Sequence, residues 1–230
     1  MLPRNSTPPY IITSVAIQKK NKSRCSVFVN GEFAFGCTID AVTHFGLTQG
    51  KEIFEHEIIQ IQAYDSTLAL KQAALHYATY KPRTAEQVRR AMVIKGYTAA
   101  EAEYAVDFLK EFGYVNDQRY ARAFIREVRS RKSIGLHRLQ QELIKRGISK
   151  HDIEDALADI FSAEDTALSE LNAARTAITK KLRTLQRKPI PKQKQALLGH
   201  LQRQGFSWNI IHHVIAEAFD DRNDKAHSEV

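Results

Sequence analysis

The chain has 230 residues, 43% of them hydrophobic and 26% charged, with 34 Lys and Arg against 26 Asp and Glu for a formal charge of +8. That apolar content builds one large core or several small ones, which argues against a disordered chain, and the basic balance favours an acidic partner such as nucleic acid. No run approaches the roughly 20 apolar residues that span a bilayer, and Met1 to Pro9 lacks the apolar core of a secretory signal, so a cytoplasmic protein without membrane contact is expected.

The opening segment is rich in β-branched and aromatic residues. Ile11 to Ile17 and Cys25 to Phe35 read as strands, and Asn30-Gly31 suits the positive backbone angles of a type I′ hairpin. Cys25 and Cys37 stand apart without Cys-x-x-Cys spacing, which predicts two free thiols and no metal site. Asp40 to Phe45 predicts a short helix ended by Gly46. The following Gly46-Leu47-Thr48-Gln49-Gly50-Lys51-Glu52 has one residue too few between its glycines for a phosphate loop, and Glu52 stands where a hydroxyl should, so a plain turn is expected. Glu52 to Ala63, with Ile53, Phe54, Ile58, Ile59 and Ile61, fits neither period cleanly. A boundary near Asp65-Ser66 closes an N-terminal extension of residues 1–66.

From Thr67 the chain reads as helical. Pro82 breaks the first helix and Thr84 with Gln87 forms a capping box for the second; Thr98 with Glu101, Ser149 with Asp152 and Ser162 with Asp165 repeat that pattern. Gly113 ends a further helix, and Asn116 or Asp117 caps the next. A long helix is expected from Ala163 to Arg187, with Pro189 and Pro191 before the final pair.

Three triplets, Gly96-Tyr97-Thr98, Gly147-Ile148-Ser149 and Gly205-Phe206-Ser207, each combine a glycine that releases a helix, an apolar residue that folds back, and a hydroxyl that caps the next helix. Aligned on these glycines, apolar columns recur at helical spacing: Val88, Leu139 and Leu197; Met92, Leu143 and Leu201; Ala102, Ile153 and Ile211; Ala105, Ala156 and Val214; Val106, Leu157 and Ile215. The fold class predicted is mainly α, with three tandem three-helix modules in an elongated, curved array after a small antiparallel β segment. The modules are placed at residues 67–115, 116–162 and 163–230, the last carrying a polar tail.

No catalytic constellation emerges. The histidines make no metal-binding spacing, since His212 and His213 are adjacent and point to different sides of a helix, and Glu101, Glu103, Asp107 and Glu111 read as a solvated face. Tyr97 and Phe206 sit at the packing position of their triplets, whereas Trp208 fits packing or base stacking equally. The charge pattern says more. Arg119, Arg122, Arg126 and Arg129 fall along one side of a helix, and between Arg119 and His151 the only acids are Glu127 and Glu142. Leu171 to Ala216 contains no acid at all. Such ridges neutralise phosphates without reading sequence.

Glu86-Gln87-Val88-Arg89-Arg90 before Lys95-Gly96-Tyr97, Gly113-Tyr114-Val115-Asn116-Asp117-Gln118-Arg119-Tyr120-Ala121, and Gly135-Leu136-His137-Arg138-Leu139-Gln140-Gln141-Glu142-Leu143 with Arg146-Gly147-Ile148 resemble the RecX family of bacterial recombination regulators. The resemblance runs over roughly residues 67 to 220, and the strand segment resembles an extension carried by some members. It implies a cytosolic, non-enzymatic protein without cofactor that lodges in the groove of the RecA nucleoprotein filament and restrains ATP hydrolysis, strand exchange and co-protease function. Single- or double-stranded DNA is the second expected partner, and the protein is expected to act as a monomer. The alternative is a sequence-nonspecific DNA-binding protein independent of RecA. The family pattern assigns no contact to each basic residue. From charge geometry, the filament- and DNA-binding set is Arg119, Arg122, Arg126, Arg129, Arg131, Lys132, Arg138, Lys145, Arg146, Lys180, Lys181, Arg183, Arg187, Lys188, Lys192, Lys194 and Arg203.

Overall fold

The computed structural model describes residues 9–131, 133–160 and 163–227. Four strands open the chain, β1 (Tyr10–Ile17), β2 (Arg24–Val29), β3 (Glu32–Thr38) and β4 (Glu52–Ile53), in the antiparallel order β3-β2-β1-β4. In β2, Cys25, Val27 and Val29 point into the core and the residues between them are half-covered, the period-2 pattern of a strand with one buried face. The β2–β3 hairpin turns at Asn30-Gly31, where φ values of 49° and 86° match the geometry this pair favours. Helix α1 (Ile39–His44) starts at Thr38, whose hydroxyl accepts from Ala41 N. The loop after Gly46 is a turn into β4: Lys51 Nζ donates to the Phe45 carbonyl at 2.6 Å and so serves the end of α1.

Helix α2 (Glu55–Tyr80) is continuous and resolves the ambiguous stretch. Ile58 and Ile61, one turn apart, are buried with Ile53 of β4, while Phe54 and Ile59 face solvent. The boundary expected near Asp65-Ser66 falls inside this helix; the chain divides instead into compact units at His76 and Tyr77. Asp65 gives the reason. It is 7% exposed, its Oδ1 accepts from Thr38 N at 2.7 Å and its Oδ2 from Arg24 Nη2 at 2.8 Å, so a polar residue that suggests a linker pins α2 to the sheet.

The second unit carries α3 (Ala85–Ile94), α4 (Ala99–Glu111), α5 (Asp117–Arg131), α6 (Leu136–Ile144), α7 (Lys150–Ile160), α8 (Ala163–Arg183), α9 (Ile190–Arg203) and α10 (Trp208–His227). In chain order these complete three tandem three-helix modules, α2 to α4, α5 to α7 and α8 to α10, in a mainly helical protein as the sequence predicts. The three triplets are built alike. Tyr97, Ile148 and Phe206 each donate through N–H to the carbonyl five residues back, at 3.2 Å, and each glycine donates to the carbonyl three back, closing the same reversed turn. Of the aligned columns, the first four are buried in every module, and in the fifth Val106 is buried while Leu157 and Ile215 are half-buried.

The caps follow the sequence closely. Thr84 with Gln87 and Thr98 with Glu101 close capping boxes, and Ser149 Oγ accepts from Asp152 N at 3.1 Å. Asn116 caps α5 by accepting from Arg119 N, which releases Asp117 to accept from Ala85 N of α3 at 2.9 Å. The Ser162–Asp165 cap lies outside the described residues. Helix α8 stops at Arg183 instead of Arg187, because the chain tightens into turns closed by Leu185 N to the Leu182 carbonyl and Lys188 N to the Leu185 carbonyl before Pro189.

Candidate polyanion-binding cleft

Equivalent residues join successive modules. Thr84 and Gly135 each cap the middle helix of a module, twelve residues before its turn glycine. Thr84 Oγ1 donates to the carbonyl of Arg146 at 2.6 Å, and Gly135 N donates to the carbonyl of Gln204 at 2.9 Å. Each acceptor stands just before the turn glycine of the next module. Arg138 strengthens the second joint, donating from Nη1 to Gln204 Oε1 at 2.8 Å and to the Arg203 carbonyl at 3.3 Å.

The basic stripe of α5 divides by use. Arg119 Nη2 donates to the Gly113 carbonyl at 2.8 Å, and Arg122 pairs with Asp159 of α7. Arg126 is exposed with no protein partner among the described residues. Arg129 is half-buried, and burial lowers its pKa against the opposing pull of Glu170. Arg131 pairs with Glu127 one turn back at 3.0 Å. On α6, Lys145 is exposed, while Arg146 pairs with Glu142 at 2.9 Å and lies 4.4 Å over the Phe124 ring.

Five of the expected cations nevertheless converge. Arg129, Arg131, Arg138, Lys180 and Lys181 line adjoining cavities of about 370 and 450 Å³ between the second and third modules. Ser133, Ile134 and the start of α6 line them together with α8, and His200 of α9 and the Gln204 that caps that helix also take part. Among the described residues Glu170 is the acid that lines this space, and its Oε1 accepts from Leu136 N at 3.3 Å, which places it at the helix start. His200 carries a pKa lowered first by burial and then by Lys181 and Arg203. Lys132 lies outside the described residues. Arg183, Arg187, Lys188 and Lys192 are exposed beyond the cleft, Lys194 lies 5.1 Å over the Phe219 ring, and Arg203 is exposed on the last turn of α9.

Among the described residues no group of His, Cys, Asp and Glu could hold a metal ion, and no helix is long and apolar enough to cross a membrane. Arg129, Arg131, Arg138, Lys180 and Lys181 thus give the cleft a basic lining.

Four family profiles match in order: the regulatory protein RecX N-terminal domain over residues 10–54, and the first, second and third RecX three-helix domains over residues 71–109, 116–157 and 169–215. Regulatory protein RecX of Bacillus pumilus is 31% identical over 96% of this chain and 82% of its own length. The chain belongs to the RecX family. Regulatory protein RecX of Clostridium acetobutylicum is 28% identical over 92% of the chain and 98% of its own length. Among solved structures, one of regulatory protein RecX superposes with a TM-score of 0.71 at 22% identity, covering 89% of this chain and 98% of its own. RecX from Lactobacillus salivarius gives 0.58 at 22% identity over 67% of this chain.

In RecX terms, the cleft lies between the second and third three-helix domains and takes its cations from both. Sequence reasoning missed the acids that divert the stripe, Asp159 and Glu170, and missed His200. Arg122, Leu136 and Lys181, which meet Asp159, Glu170 and His200, come from other helices of the bundle, so no spacing along one helix marks these contacts. The expected repeat geometry locates Arg138 as a joint residue only once Gly135 is seen against Gly205.

Proposed function

We propose that this protein binds the RecA nucleoprotein filament and restrains its ATPase, strand-exchange and co-protease activity. The observation that carries this reading is the ordered match to all four RecX domains, from the strand segment through the three helical modules. The cleft supplies the physical side: cations from two modules, held in place by helix packing, meet a phosphate backbone or an acidic protein surface at two rigidly linked points. Inhibition of this kind needs binding energy and no catalytic group. The protein acts as a monomer in the cytoplasm, with DNA contact contributing to filament affinity.

The test is RecA ATP hydrolysis on single-stranded DNA at low salt with increasing amounts of the purified protein. Near-stoichiometric protein slows hydrolysis, and the triple variant Arg126→Glu, Lys180→Glu, Lys181→Glu slows it less. Unchanged hydrolysis with wild-type protein overturns the proposal. Binding to bare DNA as tight as to the filament favours a DNA-binding protein for which RecA is incidental.

A further inference from the structure

The joint between the first and second modules holds a second groove, distinct from the basic cleft. It is an open cavity of about 550 Å³ walled by the end of α2, the α2–α3 connection and the α4–α5 turn. Tyr80, Tyr114 and Tyr120 line it, and Lys81, Arg83 and Arg119 stand beside them. Tyr80 is 81% exposed and Tyr114 44%. A ring left in water forgoes the stabilisation that burial gives, and two in one concave surface mark a place where something else covers them.

The groove is also held in shape. Tyr120 stacks on Phe124 with ring planes 11° apart and centroids 6.3 Å apart, and Phe124 in turn carries the Arg146 guanidinium. Arg119 is fixed to the Gly113 carbonyl at 2.8 Å. Arg83 lies 4.1 Å over the Tyr77 ring, and its Nε is buried with no acceptor among the described residues. A buried donor left unpaired costs its full desolvation, so an acceptor entering the groove beside Arg83 has free energy to gain.

We propose that this groove binds single-stranded nucleic acid, with unpaired bases stacking on Tyr80 and Tyr114 and the flanking phosphates taken by Lys81, Arg83 and Arg119. Flat aromatic faces accept any base, whereas the bases of a duplex keep their faces stacked on one another. An acidic peptide satisfies the cations but gains nothing from the rings, because the face of an aromatic π-system is negative and repels a carboxylate. The groove also has a continuation. Tyr120, Phe124, Glu127 and Arg131 recur along one face of α5 at helical spacing, and Phe124, Glu127 and Arg131 line the cavity that leads on past Arg138. A strand entering at the tyrosines is thereby directed along α5 toward the basic cleft. This inference does not require RecA as partner, since strand binding is read without it.

The experiment uses the full chain and fluorescence anisotropy at one fixed salt concentration. Three labelled probes of equal phosphate count are compared: a poly-thymidine strand, the same strand with abasic sites, and a duplex. The intact strand binds more tightly than the other two. The double variant Tyr80→Ala, Tyr114→Ala loses at least about fivefold on the intact strand, the lower end of what stacking one base contributes, and nothing on the abasic strand. Tyr80→Phe with Tyr114→Phe retains wild-type binding, which separates loss of the ring from damage to the fold. Equal affinity for intact and abasic strands, or an alanine effect shared by both, overturns the proposal. So does a double-alanine protein that binds the strand normally yet no longer slows the RecA ATPase, since the groove is then a protein contact. A protein that loses strand binding and still slows RecA sustains the groove and leaves the RecA reading intact.

Discussion

Gly147 packs so closely on Glu86 that a Cβ added to the glycine would lie under 3.0 Å from the Cβ of the glutamate, nearer than real Cβ atoms approach. Gly205 meets Arg138 in the same way at the next joint, whereas Gly96, the first of the repeated turns, faces open space. The triplets thus serve twice. They reverse the chain within a module, and in the second and third modules they also let its backbone approach the module before.

Alanine substitutions separate the two duties. Gly96→Ala meets only the backbone penalty of a positive φ, about 1–2 kcal/mol. Gly147→Ala and Gly205→Ala add overpacking of about 1–3 kcal/mol to that penalty. Gly135→Ala isolates the close approach: its φ of −76° suits any residue, but its Cβ would collide with the Gly205 carbonyl. Guanidinium unfolding measures all four. Equal losses at Gly96 and Gly147 would remove the joint role.

Thr84 is wholly buried and uses its hydroxyl twice, accepting from Gln87 N at 3.2 Å and donating to the Arg146 carbonyl at 2.6 Å. Thr84→Val keeps the shape and loses both bonds, one a helix cap and one the module joint. The expected cost is about 2 kcal/mol, while Thr84→Ser recovers most of it. Denaturation midpoints of the two variants check this, and a Val variant as stable as the Ser variant contradicts it.

The contrast between these joints and the cleft explains what could be read in advance. Turn chemistry and capping are local, so Asn30-Gly31, the capping boxes at Thr84 and Thr98 and the buried columns through Met92, Leu143 and Leu201 follow from a few neighbouring residues. Asp65 misleads because its partners, Arg24 and Thr38, lie far back in the chain. The arginine stripe is visible as a pattern, yet its division depends on Asp159 and Glu170, which the fold alone brings to Arg122 and Arg129. Tyr80 and Tyr114 carry no periodic signal at all, since both lie at helix ends or turns, where exposure is set by the neighbouring module.

Arg122 and Arg126 lie one turn apart on α5 and respond differently to charge reversal. Arg122→Glu sets a second carboxylate against Asp159 at a partly exposed site and costs about 1 kcal/mol. Arg126→Glu touches no partner among the described residues and stays within about 0.5 kcal/mol of wild type. Thermal unfolding distinguishes them, and Arg126 is therefore the cleaner probe of filament binding.

The thiols are paired across the sheet, Cys25 opposite Cys37, and both are buried. Burial, with the charge of Asp65 next in weight, pushes the Cys37 thiol up to about 11. Its neutral form is the one the fold favours, so the associated stability is fully present below the ordinary value of 9.0 and is lost as pH rises from there through about 11. Iodoacetamide at mild alkaline pH leaves both cysteines unmodified in the folded protein and alkylates both in denaturant, as mass spectrometry reads directly. Rapid labelling of native Cys37 would contradict its burial.

His200 gives the cleft a pH dependence whose sign is fixed by its surroundings. Burial first, then Lys181 and Arg203, hold its pKa below the ordinary 6.5, and Arg131, Arg138 and Lys180 line the same cavity. The fold favours the neutral ring, so this contribution to stability is intact above 6.5 and is lost as pH falls through that value toward the lowered pKa. A polyanion in the cleft offsets the positive field, raises the pKa and draws a proton onto the ring. Binding therefore strengthens on acidification from neutral pH through the histidine range, beyond what the permanently charged Arg and Lys produce. His200→Gln removes that extra slope and leaves affinity at neutral pH unchanged. Anisotropy titrations with a polyphosphate chain across this range measure both proteins; parallel pH profiles would place His200 outside the field of the bound anion.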